Sequence, residues 1–437
     1  MDYNFDLITI NDKAEWNRLM GQCRKADLQQ TWEYGESVNK CIEWEPVRQV
    51  IITKDQPIAM TQTLVKEIPV IGWVARMQHG PMFIEKNGQS FTQDAVNAIE
   101  FLRSHWVDGK HMILHLTPCL VPSDLPKNWA EEAEFKLSDE PLWRSIRIDL
   151  SQDSKVIHKK MKRDWKKSLR KIEKYGLRTE VCHSGQDFDF FLEKYKQATI
   201  EKGISWPSSE LVQELWNEAK SVMSVVFVVK DGKRIAAMIL INYASTSHCL
   251  VSWSDPQAAK FRAYNFLNWQ LILHFQEQKC RWLDLGGIDP ENLPGITSFK
   301  RGMGGDEYHL AGNFVATPPG YSDGLDVTDY RRGLGHVLPG LELPGHEAVG
   351  EEEVRLKVEA IVTEFIKETQ SSDVLETSNI SDLSLIDGGL IDSLSLISVV
   401  RILQETFDIE IEVQDMTSDN FNNVPAMAEL VKHKINL

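Results

Sequence analysis

Val47-Arg48-Gln49-Val50-Ile51-Ile52-Thr53-Lys54-Asp55-Gln56-Pro57-Ile58-Ala59-Met60 and Val225-Val226-Phe227-Val228-Val229-Lys230-Asp231-Gly232-Lys233-Arg234-Ile235-Ala236-Ala237-Met238 are two versions of one pattern. Each is a β-branched run, a polar turn, and a second apolar run that opens on Ile. Strand formers bounded by turn residues predict a hairpin at both places. The surroundings repeat too. Helical spacing over 12–23 and 31–39 precedes the first hairpin, and over 187–200 and 209–219 the second. After the hairpins come strands at 76–82 and 248–254, helices at 93–107 and 263–278, and strands at 111–116 and 282–285. One α+β unit, used twice, is the fold this order predicts.

Composition and charge divide the chain differently. From Leu341 onward there are 20 Asp/Glu against 6 Lys/Arg, a net of −14, while the preceding residues carry 44 against 42. A nearly neutral body is therefore joined to a strongly acidic end, which suits docking to basic partner surfaces. Residues 317–350 are rich in Gly and Pro and read as a linker. A flexible chain of that length would span roughly 30–35 Å on average and about 110 Å at full extension. The six cysteines are scattered with no Cys-x-x-Cys, the first residues are acidic, and no apolar run approaches membrane length. The expectation is a reduced, cytoplasmic protein without a membrane partner.

Within the body one cluster stands out. Residues 155–174 carry ten Lys/Arg against Asp164 and Glu173, and they are expected to form one basic helix. It is either a solvated face or an attractor for a phosphate-rich partner. Lys166, Lys167 and Arg170 are the candidate phosphate contacts. Motifs of zinc proteases, Gly-x-Ser-x-Gly hydrolases, Walker loops and condensation domains are missing, and no metal ligands are expected.

In the acidic end, Gly388-Gly389-Leu390-Ile391-Asp392-Ser393-Leu394-Ser395-Leu396-Ile397 is a glycine turn entering a helix. Asp392 and Ser393 could simply cap it. Alternatively, Ser393 could carry a phosphodiester, which the free N–H groups and dipole of a helix start would favour. Helical patterns over 351–369, 393–407, 420–421 and 425–434 predict a small four-helix bundle.

This end, 351–437, resembles an acyl or peptidyl carrier protein. It does so through 388–394, the Phe407-Asp408-Ile409-Glu410-Ile411 exit and the Asn420-Phe421-Asn422-Asn423-Val424 approach to the last helix. The resemblance implies covalent 4′-phosphopantetheine on Ser393, attached by a phosphopantetheinyl transferase. It also implies docking with other enzymes of a biosynthetic pathway.

The body resembles the Fem family of aminoacyltransferases, which use aminoacyl-tRNA and consist of two tandem units of the acetyltransferase (GNAT) type. The stretches that carry the likeness are Gln30-Thr31-Trp32-Glu33-Tyr34-Gly35, His79-Gly80-Pro81, Arg147-Ile148-Asp149-Leu150, Trp282-Leu283-Asp284-Leu285-Gly286-Gly287-Ile288 and Phe299-Lys300-Arg301-Gly302-Met303-Gly304-Gly305. It implies units over 1–146 and 147–316, and aminoacyl-tRNA as donor. The Gln/Arg-x-x-Gly-x-Gly/Ala loop of ordinary acetyltransferases is replaced by Pro256-Gln257-Ala258-Ala259-Lys260-Phe261-Arg262-Ala263-Tyr264, which disfavours acetyl-CoA.

Aminolysis of an activated ester is the expected chemistry, with Lys300 stabilising an oxyanion or a phosphate. Asp284 accepts a proton or holds a turn, and Trp253 and Asp255 line the cleft. The substrate would ride on the Ser393 arm toward a small peptide-like product. Two alternatives remain at this stage. The arm could be the donor to a free amine, or the body could be a non-catalytic platform.

Overall fold

The computed structural model describes residues 5–319 apart from 69–71, 86–90, 139 and 203–206, together with 354–355, 358–359, 361–362, 384–386, 396, 399–400, 402–404, 407, 409, 411–412, 415 and 417–435. The chain divides into one unit of residues 1–66 and 75–317 and another of 67–74 and 318–437. The expected linker and Ser393 lie outside the described residues.

The body holds two sheets, the second of them mixed. The first contains β1 (Asp6–Thr9), β2 (Glu45–Thr53), β3 (Gln56–Ile68), β4 (Gly72–Gln78), β5 (Met82–Phe83), β6 (Ile113–Thr117) and β7 (Lys136–Leu137). The second contains β8 (Arg144–Asp149), β9 (Arg178–Cys182), β10 (Met223–Lys230), β11 (Lys233–Tyr243), β12 (Thr246–Ser254), β13 (Trp282–Gly287) and β14 (Asp306–His309). The last strand of the body, β15 (Phe314–Ala316), returns to the first sheet between β6 and β7. The boundary expected at 146/147 therefore falls inside β8, and β15 does not belong to the second unit as expected.

The two hairpins are the same object. In the first, Thr53 pairs with Gln56 across Lys54 and Asp55, which have φ of 48° and 59°. In the second, Lys230 pairs with Lys233 across Asp231 and Gly232, with φ of 50° and 76°. Two left-handed residues in a two-residue loop match the strand twist. Each hairpin then slips register at the same distance from its turn, passing over Ile58 in one and Ile235 in the other. Alignment on the turns sets Ile58 against Ile235, one residue away from the side-by-side match of 47–60 with 225–238.

The helices of the first half are α1 (Lys13–Met20), α2 (Trp32–Ile42), α3 (Phe91–Arg103) and α4 (Trp129–Glu132). Ala95, Ala98, Ile99 and Leu102 of α3 join Ile51, Ala75, Leu114 and Phe314 in the first core. The second half has α5 (Ser154–Lys160), α6 (Arg163–Ile172), α7 (Gly185–Lys202), α8 (Ser209–Ala219), α9 (Ala263–Glu277) and α10 (Pro294–Arg301). Leu267, Leu271 and Phe275 of α9 pack with Ile148, Leu240 and Leu283 in the second core. The single basic helix expected over 155–174 is two helices. The break falls at Met161 and Lys162, both extended, with the Met161 side chain buried in the second core.

In the other unit, Val354, Val358 and Val362 are buried at helical spacing with Leu396, Val400, Leu403 and Phe421. Its last helices are α11 (Ser418–Phe421) and α12 (Val424–Lys434). Asn423 caps α12 by accepting from the Ala426 N–H at 2.8 Å. Among the described residues no helix is long and apolar enough to cross a membrane.

Candidate active site

The stretch from Phe299 to Gly305 closes α10 onto the basic helices. Trp165 of α6 donates its indole N–H to the Phe299 carbonyl at 2.9 Å, and their rings lie 4.9 Å apart. The Lys162 N–H reaches the Gly302 carbonyl at 2.9 Å. Glycine is required at two places here. A Cβ on Gly302 would lie 2.3 Å from the Trp165 ring. A Cβ on Gly304, whose φ is 77°, would lie 2.5 Å from the Lys160 carbonyl oxygen. The glycines of this motif thus let the break between α5 and α6 rest on the turn after α10.

Lys300 stands in the last turn of α10 and donates to the Gly287 carbonyl at 2.8 Å. Burial pushes its ammonium below the ordinary lysine value. An ammonium has three N–H groups, so one carbonyl leaves two for an oxyanion or a phosphate. The basic face begins one helix away. Lys155, Lys159, Lys160, Lys167, Arg170 and Lys171 are exposed. Lys166 is half-buried and spends a proton on the Lys159 carbonyl at 2.7 Å. It therefore closes the seam between α5 and α6, while Lys167 and Arg170 face solvent.

Asp284 is the hub of a buried polar network. Its Oδ1 accepts from the Ser145 hydroxyl at 2.6 Å and the Gly286 N–H at 2.9 Å. Its Oδ2 accepts from Arg147 Nε at 2.9 Å and the Tyr308 hydroxyl at 3.0 Å. Burial alone would raise its pKa, but the basic His248 and Arg147 side chains and these donors hold it below the usual carboxylate range. Four donors on an ionised, 2% exposed carboxylate leave little capacity to take a proton in turnover. The geometry therefore favours the structural alternative for Asp284. The same carboxylate ends a ladder. The parallel pairing of β12 with β13 stops at His248↔Asp284, where the Gly286 N–H turns to the side chain.

The first half supplies the other side of the network. Arg147 Nη2 donates to the Ala26 carbonyl at 3.3 Å, and the Lys25 ammonium lies 3.9 Å from the centre of the Tyr308 ring. Asp27, 6% exposed, accepts from the Gln29 N–H at 3.1 Å and pairs with His79 Nδ1 at 2.9 Å. The His79 ring lies 5.3 Å from the Trp143 ring. Trp143 in turn covers Gly287, with a ring carbon 3.0 Å from where a Cβ would stand.

Trp253 and Asp255 are not drawn into this arrangement. Trp253 pairs with Ala237 in the ladder, and its ring lies 6.2 Å from Phe190. Asp255 accepts from the N–H groups of Gln257 and Ala258 at 2.8 and 3.0 Å, which makes it a turn residue. No hydrogen bond, ion pair or ring contact among the described residues joins either to Lys300 or Asp284. Sequence reasoning assigned no role to Ser145, Tyr308, Lys25, Asp27 or His79. His79 did stand in a quoted motif, but its partner is 52 residues away. Among the described residues no group of acidic, His or Cys side chains is arranged to hold a metal ion.

Two sheets that share one hairpin pattern, the second with a parallel strand pair that stops beside a buried carboxylate, give an α+β, GNAT-like fold. Residues 159–301 match the family described as the acetyltransferase (GNAT) domain, and the protein is an acyltransferase. Among solved structures the chain is similar to FemX, at 13% identity and a TM-score of 0.61, over 71% of this chain and 97% of that one. That likeness concerns the fold. A tandem GNAT protein from the clavulanic acid biosynthesis pathway matches at 11% identity and a TM-score of 0.44, covering 73% and 100% of the two chains. The C-terminal domain of a putative lysylphosphatidylglycerol synthetase from Agrobacterium fabrum matches at 14% and 0.42, covering 76% and 100%. No curated protein matches the chain in sequence.

Proposed function

We propose that the protein is an aminoacyltransferase. It moves an aminoacyl group from aminoacyl-tRNA onto an amine or thiol held on a 4′-phosphopantetheine arm at Ser393 of its own acidic end. The observation that carries this reading is the joint between the basic helices and the Lys300 turn. A polyanionic donor bound along Lys167, Arg170 and Lys171 would present one end near the ammonium that can meet a developing oxyanion. The replaced loop at 256–264 agrees with a donor other than acetyl-CoA. The arm would supply a mobile thiol, reaching over the 317–350 segment at an effective concentration on the order of millimolar. The setting is cytoplasmic, and the acidic end would also meet a phosphopantetheinyl transferase and further enzymes of a pathway to a small peptide-like product.

The test is incubation of the phosphopantetheinylated protein with radiolabelled aminoacyl-tRNAs. Label should become protein-bound in the wild type, stay absent in Ser393→Ala, and vanish after ribonuclease treatment of the donor. Label that binds equally to Ser393→Ala, or survives ribonuclease, would contradict the reading.

A further inference from the structure

We propose that His79 is the proton-accepting catalytic residue of this transfer and that Asp27 is its positioning residue. The inference rests on the acyl-transfer reading above and adds a base to it.

His79 is 5% exposed and is held at Nδ1 and through the backbone on both sides. It follows β4 in a left-handed conformation, φ 52°, which a non-glycine residue adopts only under constraint. The constraint is visible. The Gln30 amide donates to the Gln78 carbonyl at 2.7 Å, and the Gly80 N–H donates to the Thr117 carbonyl at 3.1 Å. The backbone is therefore pinned before and after the histidine. The ring itself is fixed by Asp27, whose Oδ1 lies 2.9 Å from Nδ1. An ionised carboxylate at Nδ1 places the proton there and leaves the lone pair on Nε2. Among the described residues Nε2 makes no hydrogen bond, and it is not one of the sealed, unpartnered polar atoms. The Lys25 ammonium, by contrast, is sealed. An imidazole oriented by a buried carboxylate with its far nitrogen free is the arrangement a general base needs.

Its position relative to Lys300 gives the pair a use. In sequence across the site run the His79 imidazole, the half-buried Trp143 ring, Gly287, and the Lys300 ammonium on the Gly287 carbonyl. Successive contacts thus link the candidate base to the oxyanion donor through Trp143 and Gly287. The charged and titratable groups behind the pair are Lys25 on the same loop and, from the second sheet, Arg147, Tyr243, His248, Asp284 and Tyr308. They belong to the closed network around Asp284. That leaves His79 to meet substrate.

In the step itself, the acceptor nitrogen or sulfur forms a bond to the ester carbonyl carbon and gives its proton to Nε2. The negative charge on the carbonyl oxygen is met by Lys300. The carbon–oxygen bond to the ribose then breaks, and the imidazolium returns the proton to that leaving oxygen. The products are the amide or thioester and a free ribose hydroxyl, with no external reactant.

The test measures transfer from labelled aminoacyl-tRNA by the full-length phosphopantetheinylated chain. The expected result for His79→Gln is a loss in kcat of roughly 10²–10⁴-fold with KM for the donor nearly unchanged. In Asp27→Asn the ring loses the acceptor that orients it, so kcat should fall with KM for the donor nearly unchanged, and Asp27→Glu should restore part of the rate. A merely structural role would not give that split with rescue. Diethyl pyrocarbonate on the wild-type protein covers the case in which a variant misfolds. Modification mapped to His79 should track loss of transfer, and bound donor should slow it. Wild-type rates in the variants, or modification of His79 without loss, would overturn the role of His79 alone. A wild-type protein that transfers nothing would overturn the acyl-transfer reading and this inference together.

Discussion

Replacing Gly304 with Ala probes the joint between the basic helices and the Lys300 turn. The added Cβ would lie 2.5 Å from the Lys160 carbonyl oxygen, 2.6 Å from its carbon and 2.9 Å from the Met161 nitrogen. All three are backbone atoms, so no side chain can swing away. The left-handed conformation, φ 77°, costs an L-residue about 1–2 kcal/mol. Overpacking against fixed atoms adds about 1–3 kcal/mol. The expected loss is therefore about 2–5 kcal/mol, unless the break at Met161 shifts off the turn. Gly295→Ala is the matched control. Nothing lies within 4 Å of its added Cβ, and it sits exposed in the first turn of α10. Alanine there should be neutral or stabilising by up to about 1 kcal/mol. Denaturant unfolding of the two variants, followed by tryptophan fluorescence, measures the difference. Transfer from aminoacyl-tRNA should fall in Gly304→Ala and hold in Gly295→Ala. Equal midpoints and equal transfer rates would refute the claim that this glycine seats the basic helices on the Lys300 turn.

Asp284→Asn should destabilise the body by about 3–5 kcal/mol, because Arg147 keeps its charge in a buried site beside Lys25; urea denaturation checks it. Asp27 and Asp284 are both held below the usual carboxylate range despite burial. Their contribution is thus fully present above the unfolded carboxylate pKa of about 4 and is lost as pH falls through and below it. Thermal unfolding between pH 6 and pH 3 should show this drop, with a shallower one in Asp284→Asn. Lys300→Ala should lower transfer by about 10²-fold, the usual effect of removing one oxyanion donor, with a smaller loss in Lys300→Arg. Neutralising Lys167, Arg170 and Lys171 to Gln should weaken tRNA binding and reduce the slope of log affinity against log salt by about 2–3, measured by filter binding at several salt concentrations.

The duplicated unit was legible because a hairpin is local: its β-branched runs and turn residues sit within fourteen positions of one another. The bulges at Ile58 and Ile235 were not, since register depends on the partner strand, and the side-by-side match came out one residue off. The basic cluster was legible as charge, but its division at Met161 follows from a core the sequence does not display. Lys300 was singled out through its motif, but its bond to the Gly287 carbonyl is not written in the sequence. The meaning of Gly302 and Gly304 could not, because the atoms they spare belong to Trp165 and Lys160, far back in the chain. Asp284 reads in sequence as ordinary turn chemistry. Its ties to Ser145 and Arg147 span 139 and 137 residues, and only the fold brings them together.

The most direct measurement is tandem mass spectrometry of the peptide that contains Ser393. It is taken from phosphopantetheinylated protein before and after incubation with aminoacyl-tRNA. The account predicts that the modified Ser393 peptide gains the mass of one aminoacyl group, and that the gain builds up about 10²-fold more slowly in Lys300→Ala. An unchanged Ser393 peptide, with the aminoacyl group still on the tRNA or released as free amino acid, would contradict it.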